Sequence, residues 1–397
     1  MVRYLVIVSL WLFPLATIAQ APPIQKLDGS LLLPDQADSI VNHLIKDAHV
    51  MGLAVAILNN DKPVYVKTFG LANNRTKRAL DTSSILYGAS FSKAIFACIV
   101  MQLVLEKRLS LDTPLYRYLD QPIPAYPDYK DLEGDNRWKL ITARMCLSHT
   151  TGFPNWRQLP ADTIGFDPNG KLAIYFTPGT RYAYSGEGIT LLQLVVEKVT
   201  GQTVADLAEE RIFRPLGLTR TSYTWNPAFA DDCAVGHDSG GYTLYKDDGT
   251  MGKPVFPKPF AAGSLVSSIA DYARLIAYVM RPSVWRDSLL APEIAIHSTY
   301  QYPTITKDTT TENDPIHLSY GLGWGLFTGR YGKAFFKEGH ANGWQNYNVN
   351  FPASGTAIIL MSNSDNAESI FRELLEKLIG DTDTPWKWER YVPYNTK

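Results

Sequence analysis

Tyr87-Gly88-Ala89-Ser90-Phe91-Ser92-Lys93 runs directly into Ala94-Ile95-Phe96-Ala97-Cys98-Ile99-Val100-Met101-Gln102-Leu103. The stretch reads as an extended segment that turns at Gly88 and enters a long apolar helix, expected to continue to about Arg108. Ser90 falls at or just inside the helix start, where backbone N–H groups lack intrahelical acceptors and the dipole favours negative charge. Lys93 follows three residues on, so its ammonium lies over the same helix face as the Ser90 hydroxyl. A serine hydroxyl is a poor nucleophile at its own pKa. A lysine desolvated by apolar neighbours loses its proton near neutral pH and can take the proton of the serine. The same residues also fit a plain N-cap followed by a surface lysine, because Ser-x-x-Lys recurs by chance in chains of this length.

Composition narrows the classes. The chain has 397 residues, 45% hydrophobic and 19% charged, enough for one large or two coupled domains with a substantial core. A net charge of −1 and a pI near 6.7 argue against a general nucleic-acid or anionic-membrane binder. No Cys-x-x-Cys, His-Glu-x-x-His or complete phosphate-loop motif occurs, and the seven histidines show no ligand-like spacing. No metal or cofactor is therefore expected. Cys98, Cys146 and Cys233 are well separated, and two lie in apolar runs, so buried thiols are expected rather than a disulfide framework.

Residues 1–21 read as a signal peptide. Arg3 supplies the positive end and Leu5 to Phe13 the apolar core. Small residues follow Pro14, for cleavage after Ala19 or Ala21. The apolar run is short for a bilayer span, so the mature chain is expected to be periplasmic or secreted, with no stable membrane span. Asp35 to His49 then reads as a helix and Met51 to Gly70 as a hairpin about Asn59, Asn60 and Asp61. From Leu109 to Tyr223, helical segments alternate with Pro-rich and Gly-rich loops. They include Ile141–His149, Gly188–Thr200 and Thr203–Ile212. A helix is expected over Ile269–Met280. Strands follow at Tyr320–Phe327, Ala334–Glu338, Tyr347–Phe351 and Thr356–Met361, before an amphipathic helix over Ala367–Ile379. The division is a sheet lobe from residues 22–108 and 255–380, a mainly helical lobe from 109–254, and an aromatic tail, 381–397, packed on the body.

Two further stretches carry chemistry. Pro178-Gly179-Thr180-Arg181-Tyr182-Ala183-Tyr184-Ser185-Gly186-Glu187-Gly188 is a turn and loop ahead of a helix. A tyrosine held there can relay a proton to a leaving group. Alternation puts Tyr182 and Tyr184 on one side, and local pattern does not choose between them. Lys337-Glu338-Gly339-His340-Ala341-Asn342-Gly343-Trp344 lies between strand-like runs, where glycines allow close backbone approach and a free N–H for an oxyanion hole. His340 fits a base, a substrate hydrogen-bond donor, or a polar residue at a strand end.

Taken together and in this order, the stretches resemble the serine β-lactamase and penicillin-binding (DD-peptidase) superfamily, in particular the class C-like branch that includes esterases and D-amino-acid amidases and peptidases. Ser90-Phe91-Ser92-Lys93 is similar to its Ser-x-x-Lys motif. Tyr184-Ser185-Gly186 is similar to its Tyr-x-Asn motif, which selects Tyr184. The His340 segment stands where the family has Lys-Thr-Gly or His-x-Gly. Leu147-Ser148-His149-Thr150-Thr151-Gly152, Pro215-Leu216-Gly217-Leu218 and Ala262-Gly263-Ser264-Leu265 also match. The resemblance spans roughly residues 36 to 380.

It implies an α/β fold of the α+β type: an antiparallel sheet flanked by helices, a mainly helical lobe, and an active site between them. It also implies acylation of Ser90, with proton transfer by Lys93 and Tyr184, a role for His340, and an oxyanion hole from the N–H groups of Ser90 and Gly343. Gly186, Glu187 and Asn342 would then contact substrate, and His149 would be structural. The expected protein is an exported, metal-independent serine hydrolase acting on an ester or peptide-like amide. Its substrate would be a small molecule or a peptidoglycan-like peptide, and a monomer is expected. The alternatives are a D-Ala-D-Ala carboxypeptidase or weak class C-like β-lactamase and, in another class, a non-catalytic envelope protein. Two departures shift the weighting. Gly186 replaces the family's amide-binding asparagine, and Asn342 stands at the glycine of His-x-Gly unless Gly343 fills it. With Glu187 expected to repel an anionic substrate, these place esters and peptide amides ahead of β-lactams.

Overall fold

The computed structural model describes residues 22–159, 166–244, 256–301 and 309–396. The leader expected over residues 1–21 lies outside them, as do residues 160–165, 245–255 and 302–308 and residue 397. No described helix is long and apolar enough to cross a membrane.

Gly52–Asn59 and Lys62–Asn73 form the predicted hairpin. Asn60 and Asp61 both take positive φ, 51° and 60°, the backbone that a tight turn between right-twisted strands demands and that short polar side chains tolerate. Thr356–Ser362 pairs antiparallel with Gly52–Asn59, so segments from both ends of the chain share the middle of one sheet. Its nine strands run in the order Arg78–Ala79, Lys62–Asn73, Gly52–Asn59, Thr356–Ser362, Trp344–Phe351, Gly332–Ala341, Gly325–Gly329, Ser319–Tyr320, Ile294–Ala295. All neighbours are antiparallel.

Both faces of this sheet are covered, which explains why Gly52–Asn59 and Thr356–Ser362 are apolar on both sides, whereas Trp344–Phe351 buries Asn346, Asn348 and Asn350 on one side. Leu53, Val55 and Ile57 face the helices Pro34–Asp47 and Phe371–Leu378. Ala54, Ala56 and Leu58 face the helices Phe91–Leu105 and Ile269–Met280. The Phe91–Leu105 helix is apolar on every side, the pattern of a helix enclosed by protein. It is wrapped on its far side by Leu115, Ile123, Tyr129, Cys146, Leu192 and Leu207 from the helical segments. All three cysteines are buried and free. The result is a mixed α/β fold with a large antiparallel sheet flanked by helices.

Several expected elements differ: the helix expected to reach Arg108 ends at Leu105, and the one expected over Thr203–Ile212 is Val204–Ala208 followed by a π turn, Glu209–Phe213. The strand expected over Tyr320–Phe327 breaks into Ser319–Tyr320 and Gly325–Gly329 because Gly323 takes φ +86° and approaches Ala97 so closely that a Cβ would lie 2.6 Å from that side chain. The helix expected over Ile141–His149 is only Ala143–Leu147, started by Thr142 capping Met145. The closing helix begins as a 3-10 turn, Ala367–Ile370, before Phe371–Leu378.

Two tryptophans of the tail lie against the body. Trp388 is fully buried between Tyr182 and Phe336, at 6.2 Å from each ring, and its indole N–H donates to Ser298 Oγ at 3.3 Å. Trp386 lies 5.6 Å from Tyr347. Trp388→Ala empties a large buried site and is expected to cost about 3–5 kcal/mol of stability. Urea unfolding checks this, and an unchanged midpoint would show that the tail carries none of the core.

Candidate active site

Leu86–Ala89 pairs with Leu265–Ser267 in a small three-stranded sheet and hands the chain to the Phe91–Leu105 helix. Ala89 takes φ +46°, a left-handed conformation costing an L-residue about 1–3 kcal/mol. Ser92 fixes this turn: its hydroxyl donates to Ala89 O at 2.6 Å and accepts from Leu265 N–H at 2.9 Å. Ser90 then occupies the N-cap position, yet its hydroxyl caps nothing. Instead Lys93 Nζ lies 2.8 Å from Ser90 Oγ. Ser90 thus stands at the N-cap position while its hydroxyl meets Lys93 and not a helix N–H.

Lys93 is no surface residue. It is fully buried, and its Nζ also donates to Ala262 O at 2.6 Å. Burial, then the nearby Lys337 charge, hold its ammonium well below the usual lysine range, with Glu338 opposing. Tyr184, at 3% exposure, lies between the two lysines, its ring centroid 5.0 Å from Lys93 Nζ and 4.7 Å from Lys337 Nζ. Its hydroxyl accepts from Lys337 Nζ at 3.0 Å. Burial, and next Glu338, push the phenol well above its usual range. Tyr182 points away into the core with Trp388 and Tyr320. His149 stacks 4.2 Å beneath Tyr184, its Nδ1 accepting from Ser185 N–H at 3.1 Å. Burial and then the two lysines keep it neutral. It is a support.

The third stretch is where the structure departs from expectation. Gly332–Ala341 is a strand, and the side chain that meets Tyr184 is Lys337. Lys337 is fully buried and paired with Glu338 at 2.7 Å. Burial raises the Glu338 carboxyl, but Lys337 more than offsets this and holds it below its usual range. Burial likewise lowers Lys337, against the pull of Glu338. Gly339 lies so close to the turn before Ser90 that a Cβ would sit 2.4 Å from Gly88 O. Lys337-Glu338-Gly339 thus occupies the place expected for the His340 segment. His340 faces the other way, with its Nε2 3.7 Å from Glu368. Asn342 is exposed in the hairpin turn beyond the strand. Gly343 has φ +78°, and its N–H donates to the Asp365 carboxylate, so it is not free for an oxyanion.

Glu187 also differs. It is 5% exposed and held by Arg157, with Nε to Oε1 at 3.0 Å and Nη2 to Oε2 at 2.8 Å. Paired in this way, it presents no free charge to a substrate. Gly186 opens the helix Gly186–Thr200, and its N–H is taken by Asn155 O and Oδ1, both at 3.0 Å.

Sequence reasoning did not select Lys337, although the Lys-x-Gly spelling was present in the quoted stretch. Asn346 left no signal at all. Its Nδ2 donates to Tyr87 O at 3.0 Å and to Gly339 O at 2.8 Å, cross-linking the segment before Ser90 to the strand of Lys337.

With this geometry in view, comparison with known proteins identifies the group. The Beta-lactamase family model matches residues 37–379. Protein flp of Staphylococcus aureus (strain MRSA252) is 22% identical over 361 residues, covering 88% of this chain and 65% of that protein. Esterase EstB of Burkholderia gladioli is 26% identical over 216 residues, covering 50% of this chain and 53% of the esterase. The chain thus spans just under two thirds of the first and about half of the second. Among solved structures, the octameric penicillin-binding protein homologue from Pyrococcus abyssi superposes with TM-score 0.67 at 19% identity, over 87% of this chain and 77% of that one. The D-alanine carboxypeptidase AmpC from Burkholderia cenocepacia gives 0.61 at 19% identity, over 83% and 93%. The chain belongs to the Beta-lactamase family.

Proposed function

We propose that the protein is a serine hydrolase that cleaves esters or peptide-like amides through an acyl-enzyme on Ser90. The observation that carries this is the contact of Lys93 Nζ with Ser90 Oγ at 2.8 Å in a fully buried setting, since burial favours the neutral amine that a base requires. Ser90 Oγ attacks the carbonyl carbon while its proton passes to Lys93. The bond to the leaving group then breaks, with a proton delivered through the Tyr184 hydroxyl, which Lys337 orients. Water repeats the sequence in reverse and releases the acid. The scheme uses no metal or cofactor.

The oxyanion hole is reassigned by the same reasoning. Ser90 N–H supplies one donor. The family's second donor follows its third motif, and after Lys337-Glu338-Gly339 that residue is His340, contributing its backbone N–H and not its ring. Asn346 braces the two segments that carry these donors. Asn346→Ala should lower kcat about tenfold to a hundredfold with little change in KM, the loss of a bridging buried hydrogen-bond donor. Steady-state kinetics check it, and an unchanged kcat would remove Asn346 from the account.

Ester or neutral amide substrates are favoured over β-lactams and acyl-D-Ala-D-Ala peptides. Glu338 neutralises Lys337 at 2.7 Å, so the pair offers little attraction to a substrate carboxylate. Gly186 has no side chain to bind an acylamino group. The names of the esterase and the carboxypeptidase keep both reactions in the test. On one preparation, kcat/KM for a short-chain p-nitrophenyl ester should exceed that for nitrocefin and for an acyl-D-Ala-D-Ala peptide by about tenfold or more. Faster nitrocefin turnover would overturn this preference.

A further inference from the structure

Gly186 stands where the family pattern has asparagine, and the space of that side chain is already filled. A Cβ at 186 would meet Trp156 Cη2 and Cζ3 at 2.5 Å and Asn155 O at 2.9 Å. The Trp156 indole also lies under Lys93, 5.8 Å from its Nζ to the ring centroid. Restoring asparagine at 186 therefore requires Trp156 to leave.

Lys93 meets the rings of both Tyr184 and Trp156, whereas Lys337 lies over Tyr184. The leaving group belongs beside Tyr184, which supplies its proton, so the acyl group extends toward Trp156. That flank is aromatic. Phe260 lies 5.6 Å from Trp156. Between Phe260 and Tyr87 comes Gly263, where a Cβ would stand 3.7 Å from either side chain; the missing side chain leaves room. The neighbouring Ala262 O is the one that accepts from Lys93. Trp156, Phe260 and Tyr87 are all half-buried, so their rings are neither sealed in the core nor fully hydrated. The Gly186 N–H is consumed by Asn155 and offers nothing to an acylamino carbonyl.

We propose that Trp156, with Phe260 and Tyr87, forms the acyl subsite and selects an apolar, aromatic acyl group over a polar or acylamino one. This rests on the acyl-enzyme reading above. An apolar ring set against these side chains gains burial and edge or offset stacking, while a polar acylamino group loses its hydrogen bonds to water without replacement.

The test compares p-nitrophenyl acetate with p-nitrophenyl phenylacetate, which share a leaving group. Wild-type kcat/KM should favour the phenylacetate by about tenfold or more. Trp156→Ala should cut that ratio at least severalfold, and Trp156→Phe should keep most of it. Should Trp156→Ala fail to fold, Phe260→Ala reads the same ratio. On the wild-type protein, benzylboronic acid should likewise inhibit more tightly than methylboronic acid. Equal wild-type rates and equal boronate inhibition, or a ratio unmoved by the variants, overturn the acyl-subsite assignment while leaving the hydrolase intact. A protein that turns over neither ester and binds neither boronate overturns the hydrolase reading itself.

Discussion

Ser90→Ala is expected to abolish turnover of every ester or amide the protein hydrolyses, a loss of ~10⁴-fold or more. Removing the covalent nucleophile deletes the pathway and leaves only whatever binding and the oxyanion donors give to direct attack by water. The fold should survive, because the Ser90 hydroxyl caps no helix N–H and Lys93 keeps its bond to Ala262 O, so the lost hydrogen bond costs about 1 kcal/mol. Paired measurements of kcat and thermal midpoint separate the two effects. Wild-type kcat in a folded Ser90→Ala variant would remove Ser90 from the mechanism.

Lys93→Met should be nearly as damaging, by about 10²–10⁴-fold, the range of a positioned general base. Methionine fits the apolar surround, and the structural cost is confined mainly to Ala262 O losing its donor at 2.6 Å, about 1 kcal/mol. The pH dependence identifies the cause. In the proposed mechanism the active form carries a neutral Lys93, so the rate should rise as pH climbs through the Lys93 pKa. Burial, and then Lys337, set that pKa well below the ordinary 10.5. In the same mechanism Lys337 acts as a cation on Tyr184, so loss of its proton should give the opposite, alkaline limb, and burial brings this below the ordinary lysine range too. Wild type should therefore give a bell in kcat/KM, and Lys93→Met should lose the acid limb. Arginine at 93 stays charged and should not restore activity. A variant within tenfold of wild type and with the same profile would show that the base lies elsewhere.

The local features of this site were legible in the sequence. Ser90 and Lys93 share a helix face three residues apart, and the hairpin turn at Asn60-Asp61 announces itself in residue type. The helix Ile269–Met280 begins where Ser268 caps Asp271. What could not be read depends on partners far along the chain. Alternation places Lys337 and Gly339 on one face of a strand and Glu338 and His340 on the other. Which face turns to Ser90 follows from pairing with Trp344–Phe351, in which Gly339 lies opposite Asn346. Gly343 loses its N–H to Asp365, and Glu187 its free charge to Arg157. Trp156, thirty positions before Gly186, fills the space that residue leaves. Each of these contacts is tertiary, and none has a period or a motif to announce it.

A covalent acyl-enzyme on Ser90 is open to labelling without knowledge of the natural substrate. The wild-type protein, incubated with a fluorophosphonate and digested, should yield one modified peptide with the adduct on Ser90. Labelling should accelerate as pH rises through the acid limb and disappear in Ser90→Ala. Absence of any adduct, or an adduct on another serine that persists in Ser90→Ala, would contradict the account.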